Sequence, residues 1–339
     1  MRIAQLSTPH LPTPPTGYGA SELIASLATE ELVRRGHEVT LFALRGSVTA
    51  ARLIQFPEVE VVDRFDYREL VHASRAMAFA RRFDVIHNHC LFAGPAMSHL
   101  SQTPCVSTLH YVHPVLACFP GHPLVAVSRS QRDAATGLNV VGVVHNAVDV
   151  SQFHVAPGRE DYLLFLGRFH PNKGADLAIE VARRLGARLL IAAPLPHPDQ
   201  QAYFDEQVKP HLGGRIEYLG EVSGRQKREL LARARCLLVP NRWAEPFGLV
   251  VLEAAASGTP VVAMARGALP ELVVDGETGY LVEDVGEMAE AVGRVDSIDG
   301  ARCRKHVSDN FSVERMVTGY LQIYDRILAR RRADLRSAA

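Results

Sequence analysis

Residues 237–263 read LLVPNRWAEPFGLVVLEAAASGTPVVA. An apolar run of strand length ends at Pro240 and a polar loop follows. After Gly248 comes an apolar run of helix length, then a Ser-Gly turn, then a new strand in TPVVA. Strand, loop, helix, turn and strand in that order form the βαβ unit of a parallel sheet. The unit also carries two acids, Glu245 in the loop and Glu253 between Leu252 and Ala254 in the apolar helix. An unpaired acid in such a helix is costly, so Glu253 is expected to have a partner.

The same rhythm runs outward in both directions. Toward the N-terminus it is carried by RIAQL, a helix from about Ala20 to Arg35, EVTLFAL, VEVVD, a helix near 67–82, DVIHNH, PCVSTLH and VVGVVHN. It pauses at VSQFHVAPGRED and restarts with YLLFLGR, ARLLIAA, RIEYLG, RCLLVP and TPVVA. This predicts an α/β protein with two Rossmann-like domains in series, about 1–152 and 153–311, with Pro157 and Gly158 in the linker. Two open sheets of this kind would face a shared central cleft at the carboxyl ends of their strands, where ligands bind. Gly17, Gly19, His89, His110, Arg168 and Glu245 all follow strand-like runs.

Composition narrows the function. The 339 residues hold 37 basic and 37 acidic side chains and are 47% hydrophobic, so no net charge argues for nucleic acid. The local basic end RILARRRADLRSAA reads as a solvated helix terminus. Five scattered cysteines (Cys90, Cys105, Cys118, Cys236, Cys303) make neither a disulfide framework nor a zinc motif and fit a cytoplasmic location. MRIAQLS reads as a strand rather than a leader, and no apolar stretch reaches a membrane span of ~18 residues. Peripheral membrane contact and oligomeric state stay open.

Three constellations could carry chemistry. STPHLPTPPTGYGASE ends in Gly17-Tyr18-Gly19 before a helix, where backbone N–H groups could approach an anion. It is not a dinucleotide fingerprint, because Glu22 stands where the third glycine is required, and a plain turn would also account for it. In FLGRFHPNKGAD, the Arg168 fork and the Lys173 point charge suit a diphosphate, although basic loop residues often bind nothing. In the opening stretch, Glu245 and Glu253 could each hold a sugar diol, with the N–H groups from Phe247 to Val250 at the helix start. His87 and His89 share a strand face, but two histidines without a third ligand read as polar lining, so no metal is expected.

The chain resembles the retaining nucleotide-sugar glycosyltransferases of family 4, which have the GT-B fold. The likeness rests on the acid-x7-acid spacing of Glu245 and Glu253 within EPFGLVVLEA, and on GYGASE, RRGHEVTLFA, DVIHNH, GRFHPNKG, EYLGEV, GTPVVA and VVDGETGYLV. It implies that Glu253 holds the donor ribose, while Glu245 and the N–H groups near Phe247, Gly248 and Leu249 hold the transferred sugar. Arg168 and Lys173 would neutralise the diphosphate, with help from Gly17 and Gly19. His110 would lie near the reacting carbon, and the backbone near Val222 would meet the base. Tyr18, His89 and Tyr111 are acceptor-side candidates, and a last helical segment, 312–332, would cross back to the first domain.

The implied activity is retaining, metal-independent hexosyl transfer without a cofactor. A UDP-sugar is favoured over a GDP-sugar as donor, and the acceptor would be a soluble small molecule. The first 150 residues carry twelve basic and twelve acidic side chains and no basic amphipathic helix, which favours a soluble acceptor. Two departures bear on the donor: Asn146-Ala147-Val148-Asp149 has alanine where the family pattern has glycine, and Ala193-Pro194 replaces a glycine pair. The rival readings are a nucleotide-sugar 2-epimerase of the same architecture and a non-catalytic nucleotide-sugar-binding protein.

Overall fold

The structure is a computed structural model that describes residues 1–56, 67–98, 100–196, 198 and 200–337, without the side chains of 334, 335 and 337. The strand expected in VEVVD lies outside the described residues. The chain divides into two compact units. One comprises Met1–Ala147 with Val313–Ala339, and the other Val148–Ser312.

The first unit holds strands β1 (Arg2–Leu6), β2 (Glu38–Leu44), β3 (Arg52–Phe56), β4 (Val85–Asn88), β5 (Cys105–Leu109), β6 (Leu124–Ala126) and β7 (Val140–Val143). All pair in parallel, in the order β3-β2-β1-β4-β5-β6-β7. β1 and β4 are buried on both faces from Ile3 to Leu6 and from Val85 to Asn88, so the polar Gln5, His87 and Asn88 are buried alongside the apolar Ile3, Leu6, Val85 and Ile86. The chain winds outward from β1 to β3 and then returns to β4, so the strand order reverses between β1 and β4. A crevice opens at such a reversal, at the carboxyl ends of the strands. Leu6-Ser7 and Asn88-His89 stand there.

The 25-residue helix Val313–Ser337 belongs to this unit. Its apolar face buries Val317, Tyr320, Ile323 and Tyr324, and each buried aliphatic contributes about 1.5–3 kcal/mol. Arg35, just after the helix Ala20–Arg34, ties it in place through Thr318 (2.9 Å) and the Glu314 carbonyl (2.6 Å). A Cβ on Gly142 of β7 would stand 3.1 Å from Ile323 Cδ1.

The second unit holds β8 (Tyr162–Leu166), β9 (Arg188–Ala192), β10 (Ile216–Tyr218), β11 (Cys236–Val239), β12 (Val261–Met264) and β13 (Gly279–Val282). They too are parallel, in the order β10-β9-β8-β11-β12-β13, and their core is built on Leu163, Phe165, Ile191, Leu238 and Val262. The reversal here lies between β8 and β11, so the loops after Leu166 and Val239 meet at one point of the sheet edge. These loops contain Arg168, Lys173 and Glu245. No helix of the described residues is long and apolar enough to cross a membrane.

Candidate active site

In the second unit the loop after β11 folds around one carboxylate. Oε2 of Glu245 accepts bonds from Lys173 Nζ (2.5 Å), Asn241 Nδ2 (2.6 Å) and Trp243 Nε1 (3.1 Å). The Lys173 ammonium also lies 5.3 Å from the centroid of the Trp243 ring, a cation–π contact. Glu245 is buried, so its charge is stable there only because donors converge on it. Among the described residues Oε1 accepts no hydrogen bond. Glu245 also lines, with Lys173, Asn241 and Gly248, a small cavity of about 30 Å³ that has room for one hydroxyl-sized group.

Local sequence explains why these groups meet. Gly174 takes the left-handed conformation (φ 73°), and a Cβ there would stand 2.3 Å from the Pro240 carbonyl oxygen, so only glycine lets the Lys173 turn lie against the β11 loop. Arg242 fastens the two together, its N–H donating to the Asn172 carbonyl (2.9 Å) and its guanidinium to Asp176 (2.8 Å). Behind Glu245, Gly267 at φ 63° fits against its backbone, where a Cβ would be 2.3 Å from the Glu245 nitrogen.

The helix Leu249–Ala256 starts from Gly248 (φ 99°), and Phe247 is buried before it. One turn on, buried Glu253 accepts a 2.6 Å bond at Oε1 from Lys227 Nζ, on the neighbouring helix Gly224–Arg233. This is the partner that the acid's burial required. Oε2 of Glu253 accepts no bond among the described residues and can receive a hydroxyl. Val222 is buried between β10 and that helix, and Arg168 is half-buried after β8.

In the first unit, His89, His110 and Tyr111 line one cavity of about 250 Å³, together with Thr8, His10 and Glu69. The imidazoles of His89 and His110 are stacked 5.2 Å apart and joined by a 3.0 Å bond between His89 Nδ1 and His110 Nε2. Burial drives the His110 pKa down to about 4 and that of His89 well below its ordinary value, so both are neutral near pH 7. Glu69 is buried on the helix Arg68–Ala78 and accepts from the backbone N–H groups of Leu91 (2.9 Å), Phe92 (3.2 Å) and Ala93 (3.3 Å). Burial works to raise its pKa, but the interaction with His10 and these three donors outweigh it and hold the carboxyl below its ordinary value. Tyr18 and Gly17 are exposed, and Gly19 (φ 150°) caps the helix Ala20–Arg34. Glu22, the residue that breaks the dinucleotide fingerprint, is buried in that helix and accepts a hydrogen bond from Thr8.

Sequence reasoning missed Lys227, Asn241, Trp243, His10 and Glu69. Asn241 and Trp243 could have been suspected from their place in the Glu245 loop. The others come from separate elements, and only tertiary packing brings them in. Among the described residues no group of three or more His, Cys, Asp or Glu is placed to hold a metal ion.

Comparison with known proteins bears on what these sites do. Residues 160–296 match the family model described as glycosyl transferases group 1, and residues 19–152 match the model of glycosyltransferase family 4. The chain is 28% identical to a D-inositol 3-phosphate glycosyltransferase of Mycolicibacterium smegmatis, over 98% of its own length and 92% of the relative's. It is 31% identical to a glycogen synthase of Mycobacterium tuberculosis over 72% and 69%, respectively. Among solved structures, AviGT4, a glycosyltransferase involved in avilamycin A biosynthesis, superposes with a TM-score of 0.76 at 27% identity, covering 97% of this chain and 98% of that one. HepE of Anabaena, in complex with UDP and glucose, shares the fold at a TM-score of 0.77 and 18% identity, over 96% and 99%.

Proposed function

Since the chain belongs to the group 1 glycosyltransferases of family 4 and has their GT-B fold, we propose that it moves a hexosyl group from a UDP-sugar to a hydroxyl of a small soluble acceptor, with retention of configuration and without a metal. Use of a nucleotide-sugar donor follows from membership. The observation that carries the finer reading is the Glu245 carboxylate, buried under three donors at Oε2 in a residue that also lines a hydroxyl-sized space. Such a group holds a sugar hydroxyl in one orientation. The UDP preference draws on HepE, which is seen in complex with UDP, and the small acceptor on AviGT4, which is involved in avilamycin A biosynthesis. The five free cysteines support a cytoplasmic setting.

In this mechanism Glu253 receives the ribose hydroxyls at Oε2, and Glu245 receives a sugar hydroxyl at Oε1. Arg168 and Lys173 offset the charge that grows on the departing diphosphate, the task a metal ion performs elsewhere. Part of the Lys173 charge is already matched by Glu245, so the two cations share this task. As the diphosphate leaves, one of its oxygens takes the acceptor proton on the same face. The C–O bond to the acceptor therefore forms where the C–O bond to phosphate broke, and no nucleophilic side chain is required. The test is a donor panel of UDP- and GDP-hexoses with polyol and natural-product acceptors. Transfer with UDP-hexose is expected, and it should be lost in Glu245→Gln. Donor isomerisation without acceptor would select the epimerase reading, and tight donor binding without turnover would select a binding protein.

A further inference from the structure

The cavity histidine His110 ends a chain of buried hydrogen bonds that reaches the C-terminal helix. His110 Nε2 meets His89 Nδ1 at 3.0 Å, and His89 Nε2 meets the side-chain amide oxygen Oε1 of Gln5 at 3.3 Å. The amide nitrogen of the same Gln5 lies 3.5 Å from His87 Nδ1, which also has the Tyr324 hydroxyl at 2.6 Å. His87 Nε2 then meets Thr108 Oγ1 at 2.7 Å, and Thr108 meets the Tyr320 hydroxyl at 3.0 Å. Gln5, His87, His89, Thr108, Tyr320 and Tyr324 are all buried.

Donors and acceptors in this chain are assigned by following it outward from Gln5. An amide oxygen only accepts, so His89 must carry its proton on Nε2. A neutral imidazole has one proton, which leaves His89 Nδ1 as an acceptor. The group facing it, His110 Nε2, must therefore donate, and His110 Nδ1 is left with a lone pair. In the other direction the single lone pair of His87 Nδ1 accepts the short bond from the Tyr324 hydroxyl, with the Gln5 amide N–H as a longer second approach, and His87 Nε2–H donates to Thr108. The arrangement needs one proton per ring. Turning the Gln5 amide over would reverse the His89 and His110 protons together. In either orientation burial keeps each ring neutral, since the His87 pKa is pushed down to about 3 and that of His110 to about 4, so a second proton is not available near pH 7.

We propose that Gln5 is a positioning residue that, through His89, fixes His110 in the Nε2–H tautomer, so that His110 presents Nδ1 as a hydrogen-bond acceptor to a hydroxyl of the ligand in the first-unit cavity. The tautomer stands independently of the transferase reading. Its use, accepting from a sugar or acceptor hydroxyl, rests on that reading. Tyr324 and Tyr320 anchor the far end, which gives the C-terminal helix a chemical role at the cavity in addition to its packing.

The test is a long-range proton–nitrogen correlation spectrum of the whole chain labelled with ¹⁵N-histidine, at pH 7. The His110 signals are assigned by their disappearance in His110→Asn. The expected result is a protonated Nε2 and a non-protonated Nδ1 for both His110 and His89, and the reverse pattern at His110 overturns the proposal. Gln5→Leu should turn the His110 and His89 signals into a mixture of tautomers and lower kcat/KM by about tenfold. Gln5→Glu, whose carboxylate still accepts from His89, should keep the His110 Nε2–H signature while moving the His87 proton to Nδ1. An unchanged His110 spectrum in folded Gln5→Leu would also overturn the relay. If the wild-type spectrum is as expected but no sugar is transferred to any acceptor, the tautomer assignment holds and the transferase reading fails.

Discussion

Lys173 and Glu245, 72 residues apart in the chain, are joined by a 2.5 Å bond between Nζ and Oε2 at the reversal point of the second sheet. The pair places a cation and an oriented carboxylate side by side, the arrangement on which the proposed hold of a sugar hydroxyl next to a departing diphosphate rests. Lys173→Met should lower kcat by about 10–100-fold, because about 1.4–2.7 kcal/mol of charge stabilisation is lost in the transition state. Steady-state kinetics with a UDP-hexose donor checks this. A change confined to KM would assign Lys173 to ground-state binding alone.

Glu253 and Glu245 should separate in their effects. Glu253→Gln is expected to weaken binding of the free nucleotide by about 1.5–3 kcal/mol, roughly tenfold or more in Kd, whereas Glu245→Gln lowers turnover with little change in nucleotide affinity. Calorimetric titration with UDP distinguishes them. Equal losses of affinity in both variants would rule out this division of labour.

Turnover should survive exhaustive chelation. The chain contains no Asp-x-Asp pair, and Arg168 and Lys173 stand at the strand ends where the diphosphate is expected. Activity lost on chelation and restored by magnesium or manganese would contradict it.

The product should keep the donor's anomeric configuration. Proton NMR of the first product formed from an α-linked donor reads this directly, and a β product would require a different mechanism.

Acid should destabilise the first unit in a defined window. Burial lowers the pKa of His87 to about 3 and that of His72 to about 4, while an unfolded chain titrates near 6.5. Between these values the unfolded state binds more protons than the folded one. The stability due to each neutral histidine is therefore complete above about pH 6.5 and falls by about 1.4 kcal/mol per pH unit as the pH drops toward about 4. Thermal melts from pH 7.5 to 4.5 should show Tm declining below about 6.5, and His72→Gln should reduce the slope.

Much of the fold follows from the sequence alone. Alternating β-branched runs and helix-length segments identify two parallel α/β sheets, because burial on both faces leaves a local apolar signature on most of the strands. The short or half-exposed strands β3, β6 and β13 escaped notice for lack of that signature. At the site, the residue types were legible at strand ends: Glu245 in its polar loop, Lys173 after a Pro-Asn turn, and Glu253 as an acid in an apolar helix that demanded a partner. Which partner it received was not legible. Lys227 reaches Glu253 from another helix, Lys173 reaches Glu245 because Gly174 allows the turn against Pro240, and Gln5 meets His87 and His89 because β1 and β4 pair in register. Side-chain periodicity is a local property of the chain and is written in neighbouring residues. The convergence of charges and the direction of hydrogen bonds depend on distances between elements far apart in sequence, and those are set only when the sheets are assembled.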